Sequence, residues 1–146
     1  MNTVTSSSQD YLEALLMLSE KEPSVRSVDV ANVLKVSRAS VNKAMGILKD
    51  MGLILQEKYG TVSLTPEGIK VANSVKKRHL TLKSFLSDTL GVGEEAAEQD
   101  ACRMEHVISL ETLEKLEQFM QNNKNHSEAH ASSEPCSTIK NNRDVK

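Results

Sequence analysis

The stretch SVDVANVLKVSRASVNKAMGILKDMG, Ser27 to Gly52, decides the fold. Ser27 can cap a short helix that ends at Leu34, in which Val28, Val30, Ala31, Val33 and Leu34 are apolar. Val36 and Ser37 make a tight turn, and Ser37 caps a second helix, Arg38 to Met51, that Gly52 stops. On this second helix Val41, Met45, Ile47 and Leu48 point inward, while Arg38, Ser40, Asn42, Lys43 and Lys49 stay polar. A short helix, a tight turn and an amphipathic second helix make a helix-turn-helix.

The flanks extend the pattern. Leu53 to Lys58 and Thr61 to Thr65 alternate in part and are joined by Tyr59-Gly60, which predicts a β-hairpin. On the other side, Ser6 to Ser8 can cap a helix from Gln9 to Glu20 with an apolar stripe of Leu12, Leu15, Leu16 and Leu18. Lys21 to Arg26, with Pro23, reads as a loop. Helix, helix-turn-helix and hairpin in that order make a winged helix, so Ser37 to Lys49 becomes a candidate recognition helix. Ser37, Ala39, Ser40, Asn42 and Lys43 are the candidates for facing bases. Arg38, Lys49, Lys58 and the wing turn are the candidates for phosphate contacts.

Beyond the wing the chain is helical. Thr65-Pro66-Glu67 is a helix start, and that helix can run to Leu90, where Gly91 stops it. Glu94 to Val107 follows without Gly or Pro, and Ser109 can cap a last helix from Leu110 to about Gln121. Leu110, Leu113, Leu116, Phe119 and Met120 give that last helix an apolar face, expected to serve a dimer interface, with packing onto residues 66–90 as the alternative. The expected organisation is a winged helix-turn-helix domain over residues 1–65, a helical metal-binding and dimerisation domain over 66–123, and a polar, disordered tail over 124–146 holding His126, His130 and Cys136. The fold class is mainly α with a small β-hairpin.

Composition fits this division. Aromatic residues are only 3% with no Trp, so the core must be aliphatic, which favours helices. The net charge of −2 hides an asymmetry: residues 1–90 hold 12 Lys+Arg against 9 Asp+Glu, whereas residues 91–123 hold 2 against 8. A basic front and an acidic second part suggest two jobs. The two cysteines are no disulfide framework, no signal peptide is evident and no apolar run would span a membrane, so the expected setting is the cytoplasm.

The acidic part carries Asp100-Ala101-Cys102-Arg103-Met104-Glu105-His106-Val107. On a helix, Cys102, Glu105 and His106 share one face, which would carry a thiol, a carboxylate and an imidazole, three ligand types for a divalent transition metal. The plainer alternative is a buried small Cys beside solvated Glu and His. Asp10 and Glu13 lie three apart in the first helix, where acids also simply favour the helix dipole. His79 stands alone beside the cluster Lys76, Lys77 and Arg78.

Together these segments carry a resemblance. Ser8-Gln9-Asp10-Tyr11-Leu12-Glu13, the winged helix, Leu64-Thr65-Pro66-Glu67-Gly68, Arg78-His79-Leu80 and Asp100 through Ser109 resemble the diphtheria-toxin-repressor and manganese-transport-regulator family over about residues 5–121. The sequence looks like a short form without the SH3-like domain of longer members. The resemblance implies a homodimeric, metal-activated repressor that binds an operator in double-stranded DNA and controls metal-uptake genes, and no enzyme. It implies Asp10, Glu13, His79, Cys102, Glu105 and His106 as metal ligands. Asp10 and Glu13 match the manganese branch, and Cys102 matches the iron branch. Where the iron branch has an ancillary site of carboxylate and imidazole, this chain has Lys83 and Glu98. The expected metal is Mn²⁺ or Fe²⁺, with three carboxylates and two imidazoles favouring Mn²⁺. Two other classes compete: a winged-helix regulator answering a non-metal ligand, and a metalloenzyme in which the metal activates water.

Overall fold

The computed structural model describes residues 4–58 and 60–131, with side chains described through residue 124. Helix α1 spans Ser6–Lys21 and starts three residues before the expected Gln9, because Thr5 is the N-cap and its hydroxyl accepts from the Ser8 amide. Strand β1, Val25–Arg26, lies inside the segment expected to be a loop. Two residues are too few for an alternation signal, and only pairing with the wing makes them a strand.

Helices α2 (Ser27–Leu34) and α3 (Arg38–Asp50) form the helix-turn-helix. Asp29 closes the start of α2 by accepting from the Arg26 amide, and Ser37 caps α3 by accepting from the Ser40 amide. Gly52, at φ +72°, turns the chain out of α3. Strands β2 (Ile54–Gln56) and β3 (Thr61–Leu64) are the wing. The sheet is antiparallel in the order β1-β3-β2, with Val25 opposite Val62 and Leu55 opposite Ser63.

One core fills this unit. Leu12, Leu15, Val30, Val41, Met45, Leu48 and Ile54 are buried together from α1, α2, α3 and the sheet. Each such side chain contributes on the order of 1.5–3 kcal/mol by leaving water.

Helix α4, Pro66–Ser84, is the spine of the molecule. Its start is fastened to the wing: the Thr65 hydroxyl donates to the Gly52 carbonyl at 2.8 Å, and the Thr65 amide donates to the Leu53 carbonyl at 3.0 Å. Gly68 sits so close that any Cβ there would collide with the Leu53 carbonyl. Its middle packs along α1, burying Ala72, and its far end carries Leu82 into a second core. The helix expected to continue to Leu90 does so by widening into one π turn, Phe85–Thr89, before Gly91 at φ +71° stops it.

Helix α5 spans Glu94–Met104. It ends three residues before the expected Val107, so Glu105 and His106 lie in the turn that follows it. Helix α6, Leu110–Ala131, is capped by Ser109, which accepts from the Thr112 amide. It passes the expected end at Gln121 and takes in residues 124–131 of the expected tail as helix. Cys136 lies outside the described residues.

The apolar face of α6, expected to serve a dimer interface, is used in part within the protomer, as the alternative of packing onto residues 66–90 had it. Leu113 is buried with Leu82 and Ala101, and Leu116 packs against the same cluster. Leu110 and Phe119 stay exposed, as do Leu90 and Val107. Among the described residues, no helix is long and apolar enough to cross a membrane.

Candidate metal centre and nucleic-acid interface

Three elements converge on one buried carboxylate. Glu105, in the turn after α5, is fully buried, and its Oε1 has no hydrogen-bond partner. Its Oε2 lies 2.8 Å from Nδ1 of His79 on α4. Its Oε1 lies 3.4 Å from Nε2 of His106, which stands 2.9 Å from Oδ1 of Asp10 on α1. Donor atoms of Asp10, Glu105 and His106 form one tight cluster, and those of Glu13, His79 and Glu105 form a second. Glu105 belongs to both.

The electrostatics fit a cation. Burial first, then the negative charge of Glu13, pushes the Glu105 carboxyl up to about 7. Burial, with Asp10 adding repulsion, also raises Glu13. Carboxylates gathered under cover resist ionising together unless positive charge joins them. An orphaned buried oxygen of a carboxylate flanked by two imidazoles offers donor types that a divalent ion takes.

Five of the six expected ligands are therefore brought together: Asp10 and Glu13 from α1, His79 from α4, Glu105 and His106 after α5. Cys102 is in neither cluster. It is an exposed free thiol that shares with Asp10, Glu13, His79 and Glu98 the lining of one cavity of about 560 Å³. Partial desolvation, then the charge of Glu105, pushes its thiol up, away from the thiolate form. Glu105 continues the helical path past Met104, its amide donating to the Ala101 carbonyl, and is buried, while Cys102 stays on the exposed cavity wall.

Three neighbours join the site: Gln9, which the sequence reading missed, and Glu98 and Lys83, which stand where the iron branch has its ancillary site. Oε1 of Gln9 meets Nδ1 of His106 at 2.9 Å. Oε1 of Glu98 meets Nε2 of His79 at 2.9 Å, and its other oxygen accepts from Nζ of Lys83 at 2.9 Å. That hydrogen bond from Lys83 holds the Glu98 carboxyl below the usual carboxylate range and raises Lys83 in turn. Gln9 carried no sequence signal beyond its place beside Asp10. Glu98 carried one, a single helical turn before Cys102.

At the opposite end, Arg38, Ala39, Ser40, Asn42 and Lys43 are exposed on the first two turns of α3, with Ser37 at its cap. The Ser37 hydroxyl is engaged by Ser40, Oγ to Oγ at 2.9 Å. Lys49 is exposed on the last turn and Lys58 in the wing loop. A cleft of about 360 Å³ between α3 and the sheet is lined by Arg26, Ser27, Arg38, Asn42, Gln56 and Gly60. Arg26 and Gln56 join this surface only through the sheet, which is why the one-dimensional pattern missed them.

Comparison with known proteins agrees with both ends. Residues 3–62 match the family described as "Iron dependent repressor, N-terminal DNA binding domain", and residues 65–134 match "Iron dependent repressor, metal binding and dimerisation domain". The chain is 33% identical over 119 residues to an uncharacterized HTH-type transcriptional regulator of Methanocaldococcus jannaschii, covering 81% of this chain and 95% of that one. It is 40% identical over 112 residues to the transcriptional regulator MntR of Escherichia coli O157:H7, covering 77% of this chain and 72% of MntR. A manganese-dependent transcriptional repressor solved in complex with manganese superposes with a TM-score of 0.72 at 25% identity over 78% of this chain. The chain spans about half the length of that repressor, 52%. The fold, its two ends and these matches place the chain in the iron-dependent repressor family, whose members are metal-dependent, DNA-binding transcriptional regulators and not enzymes.

Proposed function

We propose that this chain represses metal-uptake genes by binding operator DNA as a homodimer when Asp10, Glu13, His79, Glu105 and His106 hold divalent metal. The observation that carries the reading is the sharing of Glu105 between two donor clusters, one completed by Asp10 and the other by Glu13. Two clusters around a common carboxylate support two ions per protomer. Their donors are three carboxylates and two imidazoles, a hard set that suits Mn²⁺ over softer ions, with Fe²⁺ the second choice. Cys102, across the shared cavity, is the residue through which a thiophilic ion would compete.

A bound cation supplies the positive charge that lets the three carboxylates remain ionised side by side. The rest is done by the chain. Asp10 and Glu13 belong to the helix that packs on the helix-turn-helix, and His79, Glu105 and His106 belong to the second half. When these residues share a ligand, α1 is docked on the turn after α5, and orientations of the winged helix that separate them become less populated. The favoured orientation sets the two α3 helices of a dimer for successive major grooves, roughly 34 Å apart. Ser37, Ala39, Ser40, Asn42 and Lys43 then face bases, and Arg38, Lys49, Lys58 and Arg26 reach phosphates. The division at residues 65–66 separates the two roles, and the cytoplasm is their setting.

The test is operator binding titrated against Mn²⁺, Fe²⁺ and Zn²⁺ at buffered free concentrations, with stoichiometry measured alongside. Two Mn²⁺ per protomer and metal-dependent operator binding are expected. Operator binding that ignores every metal would support the competing regulator with a non-metal ligand.

A further inference from the structure

The two imidazoles of the centre are held in opposite senses. His106 turns Nδ1 away to Oε1 of Gln9 at 2.9 Å and Nε2 inward, to Asp10 at 2.9 Å and Glu105 at 3.4 Å. His79 does the reverse: Nδ1 faces Glu105 at 2.8 Å, and Nε2 turns away to Glu98 at 2.9 Å. An imidazole that offers one nitrogen to a cation keeps its proton on the other, and the group accepting that proton fixes both the tautomer and the ring plane.

Each acceptor is held by a further bond, Glu98 although its side chain is half exposed. The Gln9 amide is oriented by its own donation, Nε2 to the Val4 carbonyl at 3.2 Å, which leaves Oε1 as the atom facing His106. The Glu98 carboxylate is braced by Lys83 at 2.9 Å, and Lys83 also reaches Glu94 at 3.3 Å. That ammonium favours the ionised, accepting form of Glu98 and opposes a second cation beside it. Glu98 also bonds the nitrogen of His79 that Glu105 does not, so the imidazole stands between the two carboxylates.

We infer that Gln9 and Glu98 are positioning residues of the metal centre, Gln9 keeping the His106 proton on Nδ1 and Glu98, braced by Lys83, keeping the His79 proton on Nε2. The two rings thereby present different nitrogens, Nε2 from His106 and Nδ1 from His79, to the two clusters that share Glu105. This rests on the ligand set proposed above. It assigns to Lys83 a role no ligand could fill: it is the counter-charge that commits Glu98 to the histidine.

The experiment uses the full chain with ¹⁵N-labelled histidine, loaded with diamagnetic Cd²⁺, and reads the tautomer of each ring from long-range ¹⁵N–¹H correlations. Nδ1–H on His106 and Nε2–H on His79 are expected. Calorimetry with Mn²⁺ then compares variants. Gln9→Ala and Glu98→Ala should each lower affinity by about tenfold or more, and Gln9→Glu and Glu98→Gln, which keep an acceptor oxygen, should recover most of it. The same tautomer on both rings, or wild-type affinity in both alanine variants, overturns the inference. So does a Glu98→Gln variant as damaged as Glu98→Ala, since Glu98 would then be a direct ligand. Glu105→Gln is the control for the centre itself: if it binds Mn²⁺ like the parent chain, the ligand set is wrong and the positioning roles fall with it. If it loses Mn²⁺ while the alanine variants do not, only the positioning roles fall.

Discussion

Nε2 of His106 and Oδ1 of Asp10 stand 2.9 Å apart although 96 residues separate them in the chain. The first belongs to the half that carries the second core, the other to the helix on which the DNA-binding unit is built.

Replacing Asp10 by Ala should weaken the coupling of metal to DNA. Glu13, His79, Glu105 and His106 remain, so the chain still takes up metal, with reduced stoichiometry. Its tie to α1 then runs through Glu13 alone, so it favours the docked orientation less and shifts the equilibrium less. Metal-dependent gain in operator affinity should fall by about tenfold, near the middle of the usual range of coupling energies. Calorimetry beside fluorescence anisotropy on the operator checks this. Full metal-dependent operator binding in Asp10→Ala would take Asp10 out of the coupling.

Proton linkage should follow Glu105. Its ordinary value is 4.5, and in the folded chain it is raised to about 7. Between those values the folded chain binds more protons than the unfolded one. The Glu105 contribution to metal-free stability is thus full below the unfolded value and is lost as pH rises through about 7. Glu13, also raised, acts in the same sense, and Glu98, lowered, acts in the opposite one. Metal must displace the Glu105 proton, so Mn²⁺ affinity should climb with pH and level off above about 7. Calorimetry in buffers of different ionisation enthalpy should find protons released near pH 6 and fewer near pH 8. Glu105→Gln should flatten the fall in metal-free melting temperature across that range.

Position 102 should set discrimination among metals. Cys102 lies on the cavity wall, outside both donor clusters. Replacing it by Glu should keep Mn²⁺-activated operator binding and weaken the hold on Zn²⁺, since a thiolate attracts the softer ion more. Competition between Mn²⁺ and Zn²⁺, read by operator anisotropy, checks the ratio. An unchanged Zn²⁺ affinity would take the sulfur out of the site.

The DNA face should divide into two kinds of residue. Arg26→Ala and Lys49→Ala should weaken binding to all sequences and reduce the salt slope by about 1 each. Lys43→Ala should also relax base preference, because Lys donates to guanine in the major groove. Anisotropy across a salt series with base-substituted operators separates the two. Unchanged base preference in the Lys43 variant would leave that residue a phosphate contact.

The dimer should depend on apolar side chains that the protomer leaves bare. Leu110 is 62% exposed and Val107 81% exposed. Leu110→Glu should therefore keep the protomer folded and yield monomer by sedimentation. Leu116→Glu should do worse, because Leu116 packs on the buried cluster of Leu82, Ala101 and Leu113. A stable dimer in the Leu110 variant would place the interface elsewhere.

The sequence by itself determined the elements whose signals are local. Caps at Ser37 and Thr65, stops at Gly52 and Gly91, and the 3.6-residue spacing of Val41, Met45 and Leu48 made the helix-turn-helix and the spine legible. The candidate ligand types were legible too, since Asp10, Glu13, His79, Glu105 and His106 carry their chemistry wherever they sit. Their grouping was not. Periodicity placed Cys102, Glu105 and His106 on one face, but Glu105 is buried there and Cys102 is exposed. Only the packing of α1, α4 and α5 decided that Glu105 is shared, that Cys102 stands aside, and that Gln9 and Glu98 back the two imidazoles. Strand β1 and the burial of Leu113 have the same origin, since each depends on a partner distant in the chain. A local pattern states what a residue offers. Which atoms come within about 3 Å of it is set by tertiary contacts, and on that distance depend hydrogen bonding, charge repulsion and metal coordination alike.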